Sequence, residues 1–416
     1  MAQFTYMGTK RLLAAQIAAT AEGLRAGPFM DLFSGISAAG GAVAASRNVW
    51  CNDAQAFSTL LTKALYTSAS NVVDAKGMRD SIRGGYEDNH ALLSSILAAE
   101  LGVEDACLSA PNRAEQIDTL SEASLSVRVR AKSIRESDVH CLLLVTHSGT
   151  YFGIRQCVEM DSIRAGADRA LARRMITPEQ HRWAILALCR AASATSNSTG
   201  HFAQALTPRP DNISRVISKR RRSPLAEWFN AVCEMKPIGT TNWRKGNKVF
   251  QQDAITLVRK LSEDILQPGV LYADPPYTDD QYSRYYHLLE NIVRYDYPET
   301  FGKGEYRPDR FVSRFSLASG VFDAFEELIE EASRVRSAFM LSYPSDGLLK
   351  DSPAFISEKL SRNFDVVHDP IAIEHEHSTL GASKGAQKHQ VTEYIYVAEG
   401  GKHAESERRA TRRGLQ

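Results

Sequence analysis

Phe29-Met30-Asp31-Leu32-Phe33 is a short apolar run that leads directly into a glycine-containing turn, Ser34-Gly35-Ile36-Ser37-Ala38-Ala39-Gly40-Gly41. Small residues from Ala42 to Ser46 predict a helix, and a second apolar run from Asn48 to Cys51 ends at Asn52-Asp53. Strand, glycine turn, helix, strand and terminal acid make the pattern of a βαβ unit. The sequence therefore predicts an α/β fold with a Rossmann-like sheet.

The same alternation resumes after residue 245. Predicted strands cover Val249 to Gln252, Gly269 to Ala273, Phe339 to Tyr343 and, late in the chain, Glu393 to Val397. Residues 76–244 lack the rhythm and mix helices with short apolar runs such as Val139 to Val145, which we interpret as a strand. We therefore expect one discontinuous domain, 1–75 and 245–400, interrupted by an inserted domain, 76–244, and followed by a disordered tail, 401–416.

Composition sets broad limits on the function. The chain has 416 residues, of which 43% are hydrophobic and 24% charged, enough for two domains. Because the formal net charge is only +1, any surface for a polyanion must be a local patch. The six cysteines form no C-x-x-C pair and no zinc-like cluster with histidine, which predicts reduced thiols and no metal. Without an apolar run of about 18 residues, we expect a cytoplasmic protein that does not enter a membrane.

The first βαβ unit has the features of an adenosine-binding site. Asp53 falls 22 positions after Asp31 (53 − 31), where a carboxylate can accept both ribose hydroxyls. Ser37 occupies the slot in which a dinucleotide fold has its second glycine, so the pattern favours a ligand without a pyrophosphate, such as S-adenosylmethionine. A purely structural turn remains an alternative. Asp253 could bind the adenine amino group or cap the following helix, and the two roles can coexist.

The second candidate site follows the apolar strand that ends at Ala273. Asp274-Pro275-Pro276-Tyr277 forms a rigid corner, in which the Asp274 carboxylate and the Pro275 carbonyl can accept the two hydrogens of an aromatic amine. Tyr277 can stack on the ring that carries this amine. A plain turn is the alternative interpretation. The corner predicts a site that makes an aromatic amine nucleophilic.

These residues together resemble the DNA adenine methylase family, the class α S-adenosylmethionine-dependent amino-methyltransferases of the Asp-Pro-Pro-Tyr type. The resemblance covers roughly residues 1–75 and 245–400 and covers the middle poorly. The matching motifs are Tyr6-Met7-Gly8-Thr9-Lys10, Asp31-Leu32-Phe33-Ser34-Gly35, Asn52-Asp53, Asp253, Asp274-Pro275-Pro276-Tyr277, Gln281 to Glu290, Ser342-Tyr343 with Gly347-Leu348, and Glu393-Tyr394.

The resemblance implies a fold, a reaction and a set of site residues. The fold is a methyltransferase sheet, mostly parallel with an antiparallel late strand, whose insertion is a target-recognition domain. The reaction transfers a methyl group from S-adenosylmethionine to the 6-amino group of an adenine flipped out of double-stranded DNA, in a restriction-modification or phage context. The implied cofactor-binding residues are Tyr6, Met7, Gly8, Lys10, Asp31, Phe33, Ser34, Gly35, Asp53 and Asp253, although Lys10 could equally be a solvated lysine at a helix start.

Candidate DNA contacts lie in the insertion. Lys219-Arg220-Arg221-Arg222 is the strongest basic run, interpreted either as a phosphate clamp or as a solvated helix face. Gln156 and Gln204 could read adenine, or could belong to ordinary packed turns. A cognate restriction endonuclease is a further expected partner, and the oligomeric state stays open.

Two other functions are compatible with the same residues. One is methylation of a different amine, such as the cytosine 4-amino group, RNA or a protein glutamine. The other is a DNA-binding regulator on an inactive methylase scaffold, which the intact Asp274 and Tyr277 disfavour.

Overall fold

Eight strands form one sheet in the described part of the chain. The computed structural model describes residues 13–70, 74–110, 116–198, 201–264, 267–377 and 389–403, with the backbone alone at 375–377 and 389. The strands are β1 (Phe29–Asp31), β2 (Val49–Asn52), β3 (Lys248–Phe250), β4 (Val270–Ala273), β5 (Ala338–Pro344), β6 (Phe364–Val367), β7 (Ile371–His377) and β8 (His389–Gly401).

The strand order places the ends of β1 and β4 at the centre of the sheet. The order is β3-β2-β1-β4-β5-β8-β6, with β7 also paired to β8. Pairing is parallel from β3 to β5, and β8 runs antiparallel to β5, β6 and β7. The expected mostly parallel sheet with an antiparallel late strand is thus confirmed. Ligands of such sheets bind beyond the carboxyl ends of the strands where the order reverses, which here is the β1/β4 junction.

Helices account for the rest of the regular structure in the described ranges. They are α1 (Ala14–Glu22), α2 (Ala38–Val43), α3 (Ala56–Thr67), α4 (Ala75–Ile96), α5 (Ala98–Ser109), α6 (Gln116–Val129), α7 (Ala131–Arg135), α8 (Leu142–His147), α9 (Ile154–Ala172), α10 (Pro178–Thr195), α11 (Ile213–Arg220), α12 (Pro224–Glu234), α13 (Thr241–Arg244), α14 (Ala254–Glu263), α15 (Tyr282–Arg294), α16 (Val321–Ala332) and α17 (Ser352–Asn363), with a short 3₁₀ helix at Arg314–Ser316. Among these described helices, none has the length and apolar character that a membrane span requires.

The central strands are buried on both faces. Side chains alternate along β1, so that Met30 contributes to the core beneath α14 and α16 while Phe29 contributes to the core beneath α1 and α2. In β4, Leu271 packs in the same core as Met30, whereas Val270 and Tyr272 pack in the same core as Phe29. Burial on both faces is why these strands read as continuous apolar runs in the sequence.

The turn after β1 keeps its left-handed backbone although it lacks the second glycine. Gly35 has φ of 49° and Ser37 has φ of 61°. The Ser37 hydroxyl donates to the Tyr66 hydroxyl at 3.0 Å, which holds this serine in a conformation that favours glycine. A Cβ on Gly40 would lie 2.6 Å from Ser37 Oγ and 3.1 Å from a Val49 methyl, so glycine is needed where α2 passes over β2.

The chain divides into two compact units. Among the described residues, the sheet unit comprises 13–69, Ile238–Ser283 and 311–403, and the helical unit comprises Ser70–Pro237 and Arg284–Arg310. Residues 284–310 therefore lie with the inserted part of the chain, whereas the sequence pattern assigned them to the discontinuous domain. Most of the predicted tail, 404–416, lies outside the described residues.

The predicted strand from Val139 to Val145 is wrong, because the run forms helix α8. Asp161 is buried and accepts hydrogen bonds from the amides of Leu143 and Leu144 at 3.0 and 2.9 Å, which satisfies the first turn of this helix. Leu142, Leu143 and Leu144 are all buried. A short run that is apolar on every side carries no periodicity with which to separate a strand from a helix.

Candidate active site

A cleft of about 780 Å³, partly open to solvent, lies in the sheet unit beyond the carboxyl ends of β1, β2, β3 and β4. Its lining residues come from the segments that follow those four strands and from the segment after Arg310. They are Leu32, Phe33, Asn52, Asp53, Ala54, Gln55, Gln252, Asp253, Ala254, Asp274, Pro275, Pro276, Tyr277, Gln281, Tyr282, Ser283, Phe311, Ser313 and Phe315.

Asp53 joins the glycine turn to the start of α3. Its Oδ2 accepts from the Gly35 amide at 2.9 Å, and its Oδ1 accepts from the Gln55 amide at 2.9 Å. Asp53 thus lines the cleft in an orientation that the backbone fixes.

Asn52 is a positioning residue whose role the sequence pattern did not reveal. Its side chain is buried and donates from Nδ2 to the carbonyls of Leu32 and Gln252, each at 3.0 Å. Its Oδ1 also accepts from the Gln252 amide at 3.1 Å. One amide group therefore joins the ends of β1, β2 and β3, and so sets the spacing between the residues that follow them.

Asp253 caps α14 and also lines the cleft. Its Oδ1 accepts from the Thr256 amide at 3.0 Å and from the Thr256 hydroxyl at 3.1 Å. No described residue donates to Oδ2 of Asp253. The capping role anticipated from the sequence is present, and the second oxygen is available for a ligand.

Asp31 lies at the β1/β4 junction, buried behind the cleft. It accepts from the Phe33 amide at 3.3 Å. Burial, reinforced by the nearby charge of Asp274, raises the pKa of Asp31 to about 8. Ser34, which is also buried, donates its hydroxyl to the Asn52 carbonyl at 2.9 Å. Asp31, Ser34 and Gly35 thus support the wall, whereas Phe33 and Asp53 face the cleft.

The Asp274-Pro275-Pro276-Tyr277 corner is fixed by the loop after β5. The Leu348 amide donates to the Tyr277 carbonyl at 2.7 Å, and the Leu349 amide donates to the Tyr343 hydroxyl at 3.0 Å. Tyr343 is buried, and a Cβ on Gly347 would collide with its ring. Ser342-Tyr343 and Gly347-Leu348, two of the motifs that match the methylase family, therefore hold the corner in place.

Gln281 is a second wall residue, and its structural role could not be inferred from the motif to which it belongs. Its Nε2 donates to the Ser313 carbonyl at 3.1 Å, and its Oε1 accepts from the Ser313 amide at 2.7 Å. Ser313 lies between Phe311 and Phe315, which both line the cleft. Phe315 also packs edge-on against Phe33, with ring centroids 5.3 Å apart. The pair of bonds fixes an aromatic wall against the residues that follow β4.

Arg220 is not available as a phosphate contact, and its predicted role is corrected. It is only 3% exposed, with Nη1 lying 3.6 Å from Glu104 Oε1 and Nη2 donating to the Gly149 carbonyl at 3.1 Å. The other basic side chains of the run are more exposed, yet each donates to a backbone carbonyl: Lys219 and Arg222 to Ala194, and Arg221 to Leu108. A DNA contact by Lys219, Arg221 or Arg222 remains a prediction.

Two further polar residues of the helical unit have structural roles. Gln156 is buried, donates to the carbonyls of Lys219 and Arg222 at 2.8 and 3.0 Å, and therefore cannot also read a base. His287 is buried against Phe202, and burial lowers its pKa to about 3. Tyr6, Met7, Gly8 and Lys10 lie outside the described residues, so their predicted cofactor contacts remain predictions.

Comparison with known proteins agrees with these motifs. The family model described as D12 class N6 adenine-specific DNA methyltransferase matches residues 214–339, a range that contains Asp253 and the Asp274–Tyr277 corner. The Type II methyltransferase M.FokI of Planomicrobium okeanokoites is 32% identical over 202 residues, which are 48% of this chain and 27% of that protein.

Two other relatives match over similar stretches. Modification methylase LlaI of Lactococcus lactis subsp. lactis is 31% identical over 181 residues, 44% of this chain and 26% of that protein. Type II methyltransferase M.NlaIII of Neisseria lactamica is 27% identical over 199 residues, 48% of this chain and 52% of that protein. The chain thus spans about a quarter of the length of M.FokI and LlaI, at 27% and 26%. The resemblance drawn from the motifs is confirmed: residues 214–339 of this chain are similar to the D12 class N6 adenine-specific DNA methyltransferases.

Proposed function

We propose that the protein methylates the 6-amino group of adenine in double-stranded DNA, with S-adenosylmethionine as methyl donor. The observation that carries the proposal is one cleft that holds both halves of the required site. Asp53 and Asp253 lie on one part of its wall, and the Asp274-Pro275-Pro276-Tyr277 corner lies on another. The family match, which includes Asp253 and this corner, supports the same activity.

The cleft suits the cofactor in its chemistry. Asp53 would accept the ribose hydroxyls from its fixed position on the cleft wall. Oδ2 of Asp253 would accept from the adenine amino group. Phe33, Phe311 and Phe315 supply the apolar surface against which an adenine ring would pack. When bound, S-adenosylmethionine supplies an electrophilic methyl group on a sulfonium centre.

The corner residues would make the target amine reactive. An adenine amine is a poor nucleophile because its lone pair delocalises into the ring. If the Asp274 carboxylate and the Pro275 carbonyl accept its two hydrogens, the nitrogen moves toward tetrahedral geometry and its lone pair becomes available. Tyr277 would stack on the same ring and hold its orientation. After methyl transfer, the amine nitrogen can release a proton to Asp274, so Asp274 need not be a strong base.

A double-stranded DNA substrate requires base flipping and recognition of the surrounding sequence. An adenine inside a duplex is inaccessible, so the base must be flipped into the cleft. We assign recognition of the surrounding DNA sequence to the helical unit, which contains the insertion. The names of the relatives, Type II methyltransferases and modification methylases, support a role beside a cognate restriction endonuclease.

Methyl transfer from labelled S-adenosylmethionine to four substrates tests this proposal. We expect label in duplex DNA that contains adenine, and none in single-stranded RNA, in protein, or in duplex DNA whose adenines are replaced by N6-methyladenine. Label on cytosine, RNA or protein would favour a related amino-methyltransferase. Cofactor binding without transfer to any substrate would favour an inactive regulator.

A further inference from the structure

Tyr306 lies in the helical unit as a rigidly held aromatic ring. Its hydroxyl donates to the Ala203 carbonyl, and its ring packs edge-on against buried His287 with centroids 4.9 Å apart. Gly304 passes so close that a Cβ there would collide with the ring and with the Ala203 carbonyl. These contacts leave Tyr306 little freedom, so any group placed on its face is held at a defined position.

Two arginine side chains converge on this ring. The Arg284 guanidinium carbon lies 5.7 Å from the Tyr306 centroid, and that of Arg310 lies 5.3 Å from it. Arg284 belongs to α15, and Arg310 follows Tyr306 by four positions in the chain. Burial and the neighbouring charge of Arg284 lower the pKa of the Arg310 guanidinium, although an arginine stays charged at neutral pH. Two like charges are thus held near the same aromatic ring.

We propose that Arg284 and Arg310, supported by Tyr306, form a binding site for a phosphodiester group of the DNA substrate. The inference rests on the proposed function and adds a DNA contact outside the basic run at 219–222. The planar donor fork of arginine suits phosphate oxygens, and an anion beside both guanidinium groups would offset the repulsion that Arg284 exerts on Arg310. The ring limits the conformational entropy that each long side chain would lose on binding.

Arg284 and Arg310 both belong to the helical unit, to which we assign the contacts with the DNA around the reacting base. Because the overall net charge is +1, DNA affinity has to come from local arrangements such as this pair.

Binding of a fluorescent adenine-containing duplex over a range of salt concentrations tests the site. For the Arg284→Gln/Arg310→Gln double variant, we expect weaker binding and a salt slope that is smaller by about 0.9, since the pair neutralises one phosphate. Each single variant should lose less affinity than the double variant, because one arginine still contacts the phosphate. Calorimetry should show that these variants bind S-adenosylmethionine as tightly as the wild type. Unchanged cofactor binding shows that their cleft is folded.

The matched control is Arg173→Gln/Arg174→Gln, which removes the same charge from exposed positions of the same unit. We expect this control to keep the wild-type slope. Wild-type slope in the Arg284/Arg310 variant, or an equal loss in the control, would overturn the phosphate site while leaving the methyltransferase proposal intact. Failure of the wild-type protein to bind duplex DNA would instead contradict both proposals. A third outcome is that the two arginines bind inorganic phosphate in the millimolar range and that duplex DNA does not displace this phosphate. That result would assign the arginines to free phosphate and also overturn the proposal.

Discussion

Gln281 and Ser313 are joined by two reciprocal hydrogen bonds, in which the side-chain amide of Gln281 pairs with both backbone groups of Ser313. Because Ser313 carries the Phe311–Phe315 segment of the cleft wall, we expect Gln281→Glu to displace that segment. A carboxylate in place of Nε2 faces the Ser313 carbonyl without a proton to donate. Loss of such bonds corresponds to about 1–2 kcal/mol, or about tenfold weaker cofactor binding, which calorimetry with S-adenosylmethionine would measure.

Gln267→Glu is the matched control for that variant. Gln267 also donates its side-chain amide to backbone carbonyls, those of Leu261 and Ser262, and it lies outside the cleft lining. We expect this change to lower thermal stability without weakening cofactor binding. An equal loss of affinity in both variants would mean that the effect of Gln281 is general destabilisation.

Two substitutions of Asp253 separate its capping role from its proposed ligand role. Asn caps helices about as well as Asp, so Asp253→Asn should leave stability within about 0.5 kcal/mol of wild type. The new amide would face the adenine amino group with a donor, so cofactor affinity should fall about tenfold. Asp253→Ala should lose both affinity and about 1 kcal/mol of stability. Unchanged cofactor affinity in Asp253→Asn would reduce this residue to a helix cap.

Tyr277 is expected to act through its ring and not through its hydroxyl. Tyr277→Phe keeps the stacking surface and should retain most of the turnover on duplex DNA. Tyr277→Ala should lower turnover by about 10- to 100-fold, since stacking on a base contributes about 1–3 kcal/mol. Steady-state methylation assays on the same duplex would compare the three proteins, and near-normal turnover of the alanine variant would exclude the stacking role.

Asp31 makes the stability of the protein depend on pH. Its folded-state pKa is raised to about 8, so between about pH 4 and pH 8 the folded protein holds a proton that the unfolded chain releases. Stability should therefore fall as pH rises through this window. Asp31→Asn removes the titrating group, so urea unfolding without cofactor should show a smaller loss of stability from pH 5 to pH 8 than in wild type. Equal pH profiles would mean that Asp31 ionises normally.

The strand-end acids could be predicted from sequence because the signals for them are local. Asp53 and Asp274 directly follow short apolar runs, and parallel pairing brings the carboxyl ends of such strands to one edge of a sheet. Asp253 follows β3 and opens an amphipathic helix, which indicated a cap as well as a ligand. In each case the strand or helix that gives the signal directly adjoins the residue in the sequence.

The remaining site residues depend on contacts between distant positions. Gln281 bonds to a backbone 32 residues away, and Asn52 bonds to Gln252 across 200 positions. Neither pairing has a local pattern. Arg220 is different, because a signal was present: Ile213, Val216 and Ile217 are buried on α11, and Arg220 continues their helical spacing. Charge alone does not distinguish the members of a basic run, whereas helical periodicity indicates that Arg220 points inward.

The most direct test of the central claim is base-modification sequencing of DNA from cells that express this chain or its Asp274→Ala variant. The account predicts N6-methyladenine at one recurring sequence in cells with the wild-type protein. It predicts the loss of that modification with Asp274→Ala, provided that the variant still binds S-adenosylmethionine. Adenine methylation that persists in the variant, or modification of cytosine alone by the wild type, would contradict it.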